Sequence, residues 1–250
     1  MNMPNLRFAA PLERRVALIT GGANGIGRAC AIRLAEAGRD IVIADLADGT
    51  SVVQVVEALG QRALFRHLDV TNEAAVQAVV NETVSTWGRL DILLCCAGIF
   101  IKEKSFLEQS ADEFDRVMHI NVYGVYYAHQ AAIPHMLKQG WGRCVTITSA
   151  ARHGSPNQIP YSTSKGAVFS LVSSLGMAYP EQGVLINGIE PNRTLTQMVI
   201  PRFTPEHLSN PGVPIGRYAD PEEVAEVVEF LSSERNTYTS GAVWFVRSMG

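Results

Sequence analysis

Several scarcities narrow the function of this 250-residue chain before any motif is read. Basic residues are not in excess. Against 24 Asp and Glu stand 21 Lys and Arg, a formal net charge of −3, so no broad field draws in phosphate backbones or anionic membranes, and nucleic acid is not an expected partner. Cysteine is sparse: Cys30, Cys95, Cys96 and Cys144 form no C-x-x-C pair and no Cys/His ladder. A chain long enough to build a large core needs no disulfide staples, so the four read as reduced thiols in a cytoplasmic setting, with no metal site. No run of about 18 apolar residues suggests a membrane span, and MNMPNLRFAAPLERR at the N-terminus has no apolar stretch of signal-peptide length. Charged residues make up only 18% and hydrophobic ones 47%, which excludes the disordered class. Repeats, low-complexity tracts and Gly/Ser/Pro-rich linkers are missing too, leaving no reason to divide the chain.

What remains is a rhythm of short β-branched runs between helix-length segments. Val16–Thr20, Ile41–Asp45, Ala63–Leu68, Asp91–Cys95, Arg143–Thr148, Val184–Ile189 and Ala242–Val246 read as strands. The runs are apolar throughout instead of alternating, and their spacing suits crossovers, not hairpins. This pattern predicts one doubly wound, Rossmann-like α/β domain over residues 14–250, a seven-stranded parallel sheet with helices on both faces. Residues 1–13 read as an N-terminal extension. Residues 192–216 break the rhythm with Pro201, Pro205, Pro211 and Pro214 after a strand end, the place where ligands bind in open α/β sheets, and read as a substrate lid.

The first strand runs into Thr20-Gly21-Gly22-Ala23-Asn24-Gly25-Ile26-Gly27 and then a helix. Glycine permits a tight turn and close approach to a pyrophosphate, which the unpaired N–H groups and positive dipole end of the helix favour. The second strand ends in Asp45, about 20 residues after the turn, where a carboxylate accepts hydrogen bonds from an adenosine ribose and repels a 2′-phosphate. With no Arg or Lys in 20–27 or 46–50, NAD is expected over NADP. Asp69, in Leu68-Asp69-Val70, either reaches the adenine edge or serves as a turn or cap residue.

Tyr161-Ser162-Thr163-Ser164-Lys165 places a phenol and an ammonium on one helical face, and the ammonium favours the phenolate that a proton acceptor requires. This segment, the Gly21/Gly25/Gly27 spacing, Asn121-Val122-Tyr123-Gly124, Ser149 and Asp220-Pro221-Glu222-Glu223 together resemble the short-chain dehydrogenase/reductase family from about residue 14 to 246. The resemblance implies that Tyr161 is the general acid/base, Ser149 hydrogen-bonds the substrate oxygen, Lys165 also holds the nicotinamide ribose, and Asn121 supports a water-linked proton path. It also implies cofactor contacts from Gly21, Asn24, Gly25, Ile26, Gly27, Asp45, Asp69, Val70, Ala97, Gly98 and Thr196, and a homotetramer. Departures are visible. Cys95-Cys96-Ala97-Gly98 replaces Asn-Asn-Ala-Gly. The Ser149–Tyr161 interval is one residue short, which makes Thr148 a fallback hydroxyl. Pro191-Asn192 replaces Pro-Gly, and Val246-Arg247-Ser248-Met249-Gly250 replaces Val-Asp-Gly-Gly in a region often at subunit interfaces.

Arg152, three residues after Ser149, and Arg193, at the start of the lid, are expected to grip a substrate carboxylate, with Lys102 and Lys104 in a neighbouring loop. The expected function is NAD-dependent interconversion of a secondary alcohol and a ketone or other carbonyl on a small polar substrate such as a sugar or sugar acid. The alternatives are a 3-oxoacyl-thioester reductase-like enzyme and a catalytically silent NAD-binding regulator; retention of Asn121, Ser149, Tyr161 and Lys165 argues against the regulator.

Overall fold

Strand β1 (Val16–Thr20) is completely buried and lies between β2 (Asp40–Asp45) and β4 (Ile92–Cys95), parallel to both. The computed structural model describes residues 14–200, 204–206 and 212–248. With β3 (Ala63–His67), β5 (Gly142–Ile147), β6 (Val184–Pro191) and β7 (Val243–Val246), these strands form one seven-stranded parallel sheet in the order β3-β2-β1-β4-β5-β6-β7. The expected strands are all present, displaced by at most two residues at their ends.

Alternation along the strands sorts the apolar residues onto two faces. Ala17, Ile19, Ile41, Ile43, Ile92 and Leu94 pack with α1 (Gly25–Glu36), α2 (Thr50–Ala58) and α7 (Pro221–Ser232). Leu18, Val42, Leu93 and Cys144 pack with α3 (Glu73–Trp87), α5 (Gly124–Gln139) and α6 (Ile159–Ala178). A strand covered on both faces needs apolar side chains at every position, which is why these runs do not alternate in sequence.

Local chemistry sets the helix ends. Asn72 accepts from Ala75 N to start α3, which stops at Gly88 in the left-handed conformation (φ 79°). Pro221 opens α7 behind a reciprocal capping box between Asp220 and Glu223. Helix α4 (Ala111–Met118) runs into α5 through a π-turn at His119–Tyr123.

Crossovers leave β1 toward β2 on one side while β4 lies on the other, so a crevice opens above the carboxyl ends of β1 and β4. No helix of the described residues is long and apolar enough to cross a membrane. The expected extension, residues 1–13, and lid positions 201–203 and 207–211 lie outside the described residues.

Candidate active site

The turn between β1 and α1 forms the floor of the crevice, and side chains would destroy it. A Cβ on Gly21 (φ 70°) would sit 2.5 Å from the Ala97 nitrogen, and one on Gly27 would sit 2.0 Å from the Gly21 carbonyl oxygen. Two backbone segments therefore touch here, with room above them for a third molecule. Asn24 precedes α1 without capping it through its side chain, so no cap competes for the N–H groups at the helix start, an arrangement that favours an anionic group. A cleft of about 450 Å³ runs from this turn along the strand ends.

Its cofactor end is lined by Gly21, Asn24, Gly25, Ile26 and Asp45, with Asp69, Val70, Ala97 and Gly98 farther along. Gly27 lies beneath, as a spacer between turn and helix. Asp45 accepts from Ala23 N (3.0 Å) through one oxygen and from Ala47 N (2.9 Å) through the other, which pins its carboxylate beside the glycine turn. Asp69 fills the turn role: it accepts from Thr71 N at 2.9 Å and from Thr71 Oγ1 at 2.8 Å, and these bonds hold its carboxyl below the usual range. It also lines the cleft. Cys95 points into one core and Cys96 toward the other face, beside the cleft; burial pushes both thiols up to about 12.

At the opposite end α6 presents Tyr161 and Lys165 one turn apart. The Lys165 ammonium is buried, donates to the Ile147 carbonyl at 2.8 Å, and lies 5.6 Å from the centre of the Tyr161 ring. Phe100 packs edge-on against that ring at 5.3 Å. Ser149 ends the β5 segment, and its Oγ accepts from Ala151 N at 3.2 Å, which leaves the hydroxyl proton for the cleft. Thr148 does not compete, because its hydroxyl is spent on the Ile189 carbonyl at 2.8 Å. Thr196 also lines the cleft, and its methyl lies close against Gly25 of the glycine turn.

Asn121 sits inside the π-turn, buried, and does not line the cleft. Its Oδ1 accepts from Ile99 N (2.8 Å), and its Nδ2 donates to Ile99 O (3.0 Å) and to Ser164 Oγ (3.0 Å). Its side chain thus clamps the loop after β4, where Ala97 and Gly98 lie.

Arg152 is not placed as a substrate clamp. Its Nε donates to Glu190 at 2.5 Å and its guanidinium stacks on Phe169 at 4.0 Å, outside the cleft. Glu190, fully buried one residue before Pro191, drew it there; the sequence signal was the one acid in a largely apolar strand. Arg193 does reach the cleft wall, with a left-handed backbone (φ 39°). Lys104 pairs with Glu113 at 2.5 Å.

Known proteins share this whole plan. The family model described as enoyl-(acyl carrier protein) reductase matches residues 21–248. The chain is 35% identical to cis-4-hydroxycyclohexanecarboxylate dehydrogenase of Sinomonas cyclohexanicum, covering 92% of this chain and 93% of that one. It is 33% identical to an NAD(+)-dependent 2-dehydro-3-deoxy-L-rhamnonate dehydrogenase of a Sphingomonas species, covering 95% of each. The crystal structure of levodione reductase superposes with a TM-score of 0.88 at 32% identity, over 94% of this chain and 96% of the other. With a cradle that only glycine tolerates and a Ser-Tyr-Lys set at the far end of the same cleft, the chain belongs to the short-chain dehydrogenase/reductase family and is an oxidoreductase using a nicotinamide dinucleotide.

Proposed function

We propose that this protein is an NAD-dependent dehydrogenase that interconverts a secondary alcohol and a ketone on a small, polar, carboxylate-bearing substrate such as a cyclic hydroxy acid or sugar acid. The observation that carries the reading is the convergence of Ser149, Tyr161 and Lys165 on one end of a cleft whose other end is the glycine cradle. Asp45 supports NAD over NADP: its pinned carboxylate would repel a 2′-phosphate. The acid preference is supported by the names of two relatives, whose substrates are a cyclohexanecarboxylate and a rhamnonate.

The bound dinucleotide supplies the hydride-accepting carbon. Ser149 donates its free hydroxyl proton to the substrate oxygen and fixes the carbinol at the cleft end. Tyr161 accepts the proton that the alcohol loses, and in the reverse direction returns it. Lys165 contributes position: its ammonium, held against the Ile147 carbonyl and facing the phenol ring, stands where the nicotinamide ribose would lie. Phe100 walls the phenol from one side, which limits water there. Asn24, Ile26 and Val70 hold the dinucleotide along the groove and Thr196 its amide end, while Asn192, Arg193, Gln197, Met198 and Val199, from the described start of the expected lid, wall the substrate. The assembly that goes with this reading is a cytoplasmic homotetramer.

The test is NADH formation across cyclic hydroxy acids, sugar acids, polyols and a 3-hydroxybutyryl thioester, the last because the matching family model is described by an acyl-carrier reaction. Tyr161→Phe should keep NAD affinity and lose about 10²–10⁴-fold in turnover. Retained turnover would refute the assignment of Tyr161, and preference for the thioester would refute the substrate class.

A further inference from the structure

Ser164 lies on α6 between Tyr161 and Lys165, is fully buried, and does not line the cleft. Its hydroxyl nevertheless makes two hydrogen bonds. It accepts from Asn121 Nδ2 at 3.0 Å and donates to the Tyr161 carbonyl at 2.7 Å. The same Asn121 side chain holds both backbone polar groups of Ile99, at 2.8 and 3.0 Å. An unbroken line of bonds therefore runs from the loop after β4, through the π-turn, to the backbone of Tyr161.

The loop at the start of that line is itself fixed to the floor of the cleft. Cys96 N donates to the Thr20 carbonyl at 3.0 Å, and Ala97 abuts Gly21 so closely that a Cβ on the glycine would lie 2.5 Å from the Ala97 nitrogen. Phe100, next along the loop from Ile99, packs edge-on against the Tyr161 ring at 5.3 Å. Tyr161 is thus tied to the loop at its ring, through Phe100, and at its carbonyl, through Ser164. Lys165 takes its bearing elsewhere, from the Ile147 carbonyl of β5 at 2.8 Å. Without the Ser164 hydroxyl, the tie between loop and Tyr161 falls to the Phe100 contact, which is far less directional than a hydrogen bond.

We propose that Ser164 is a positioning residue for the oxidation–reduction step: its hydroxyl holds Tyr161 in register with the loop against which the dinucleotide rests. This rests on the dehydrogenase reading above and deepens it. Proton and hydride leave one carbinol, so the phenol and the cofactor must meet it in one geometry, and a misplacement of about 1 Å in such a site costs up to about 100-fold in rate. Asn121 keeps both bonds to Ile99 when Ser164 is lost. The seat of the cofactor therefore stays in place, and the loss falls on the chemical step.

Ser162 supplies the control. It is buried in the same stretch of α6, and its hydroxyl has no hydrogen-bond partner among the described residues, so Ser162→Ala removes the same atom without cutting the line. Whole enzyme is assayed well below Tm with NAD and cis-4-hydroxycyclohexanecarboxylate, or the best alcohol of the panel above. Ser164→Ala should lower kcat by about 10- to 100-fold while Kd for NAD changes by less than about 2-fold, and Ser162→Ala should leave both within about 2-fold. An unchanged kcat in Ser164→Ala, an equal loss in Ser162→Ala, or a Kd for NAD that rises in step with the loss of kcat overturns the proposal. Should Ser164→Ala fail to fold, Ser164→Cys, close to serine in size but a weak donor, replaces it under the same outcomes. If the wild type oxidises no alcohol at all, the dehydrogenase reading fails separately, and hydrogen exchange of the free protein tests the tie alone. Ser164→Ala should then speed exchange at residues 161–165 and leave 97–99 as in the wild type; equal rates at 161–165 in the two proteins overturn it.

Discussion

Replacing Asn121 by alanine should unfasten the loop after β4 from the helix beneath it. Three hydrogen bonds of 2.8, 3.0 and 3.0 Å disappear together. Ser164 keeps a partner, because its hydroxyl donates to the Tyr161 carbonyl at 2.7 Å. The N–H and C=O of Ile99 lose the side chain that satisfied both. Leaving a buried polar group unpaired costs about 1–3 kcal/mol, and Ile99 is only half-buried, so water recovers part of it; the expected loss is about 2–4 kcal/mol. With a slope of about 3 kcal/mol per M, the urea midpoint falls by roughly 1 M. Because Ala97 and Gly98 sit on the same loop and line the cleft, NAD affinity should fall as well. Asn121→Asp separates hydrogen bonding from packing. It keeps the volume but turns an acceptor toward the Ile99 carbonyl, so it should destabilise at least as much as alanine. An aspartate variant as stable as the wild type, or an alanine variant whose midpoint moves by less than about 0.2 M, would refute the clamp.

Asp45→Ala should narrow the preference for NAD over NADP by about 10- to 100-fold in kcat/KM, with some loss of NAD affinity; a wild type that uses both equally would sink the argument from Asp45. Ser149→Ala should reduce turnover with little change in stability, whereas Thr148→Ala should lower the melting temperature, since its hydroxyl serves the Ile189 carbonyl; the reverse pattern would exchange their roles. Burial raises all four thiols, Cys95 and Cys96 to about 12, so each stays protonated through neutral pH, because the thiolate forms only as pH rises through the folded value. A thiol-titrating disulfide reagent at pH 8 should find no fast-reacting cysteine in the folded protein and four after denaturation; a rapid native reaction would contradict this.

The sheet was legible because burial on both faces leaves a composition signature: Leu18 and Ile19 belong to opposite cores, yet both must be apolar. The glycine turn was legible for a similar reason, since no other residue fits where Gly21 meets Ala97. Arg152 shows the limit. Its sequence position beside Ser149 is informative, but the direction of its guanidinium depends on Glu190, which joins it only once β5 and β6 pair. The Asn121 clamp was hidden likewise, because a π-turn has no sequence pattern of its own and the partner of the side chain is backbone, whose identity carries no signal.

That wide turn acts as a gear between two halves of one rod. Each residue advances an α-helix by about 100°, so one additional residue in a turn rotates everything after it relative to everything before. Helix α4 can then address α6 while α5 faces α3 and the sheet, without a break in the rod. A loop of similar length would tolerate losing a residue. Here a single deletion within His119–Tyr123 would bring both halves into one phase, and one of the two sets of neighbours would have to be given up.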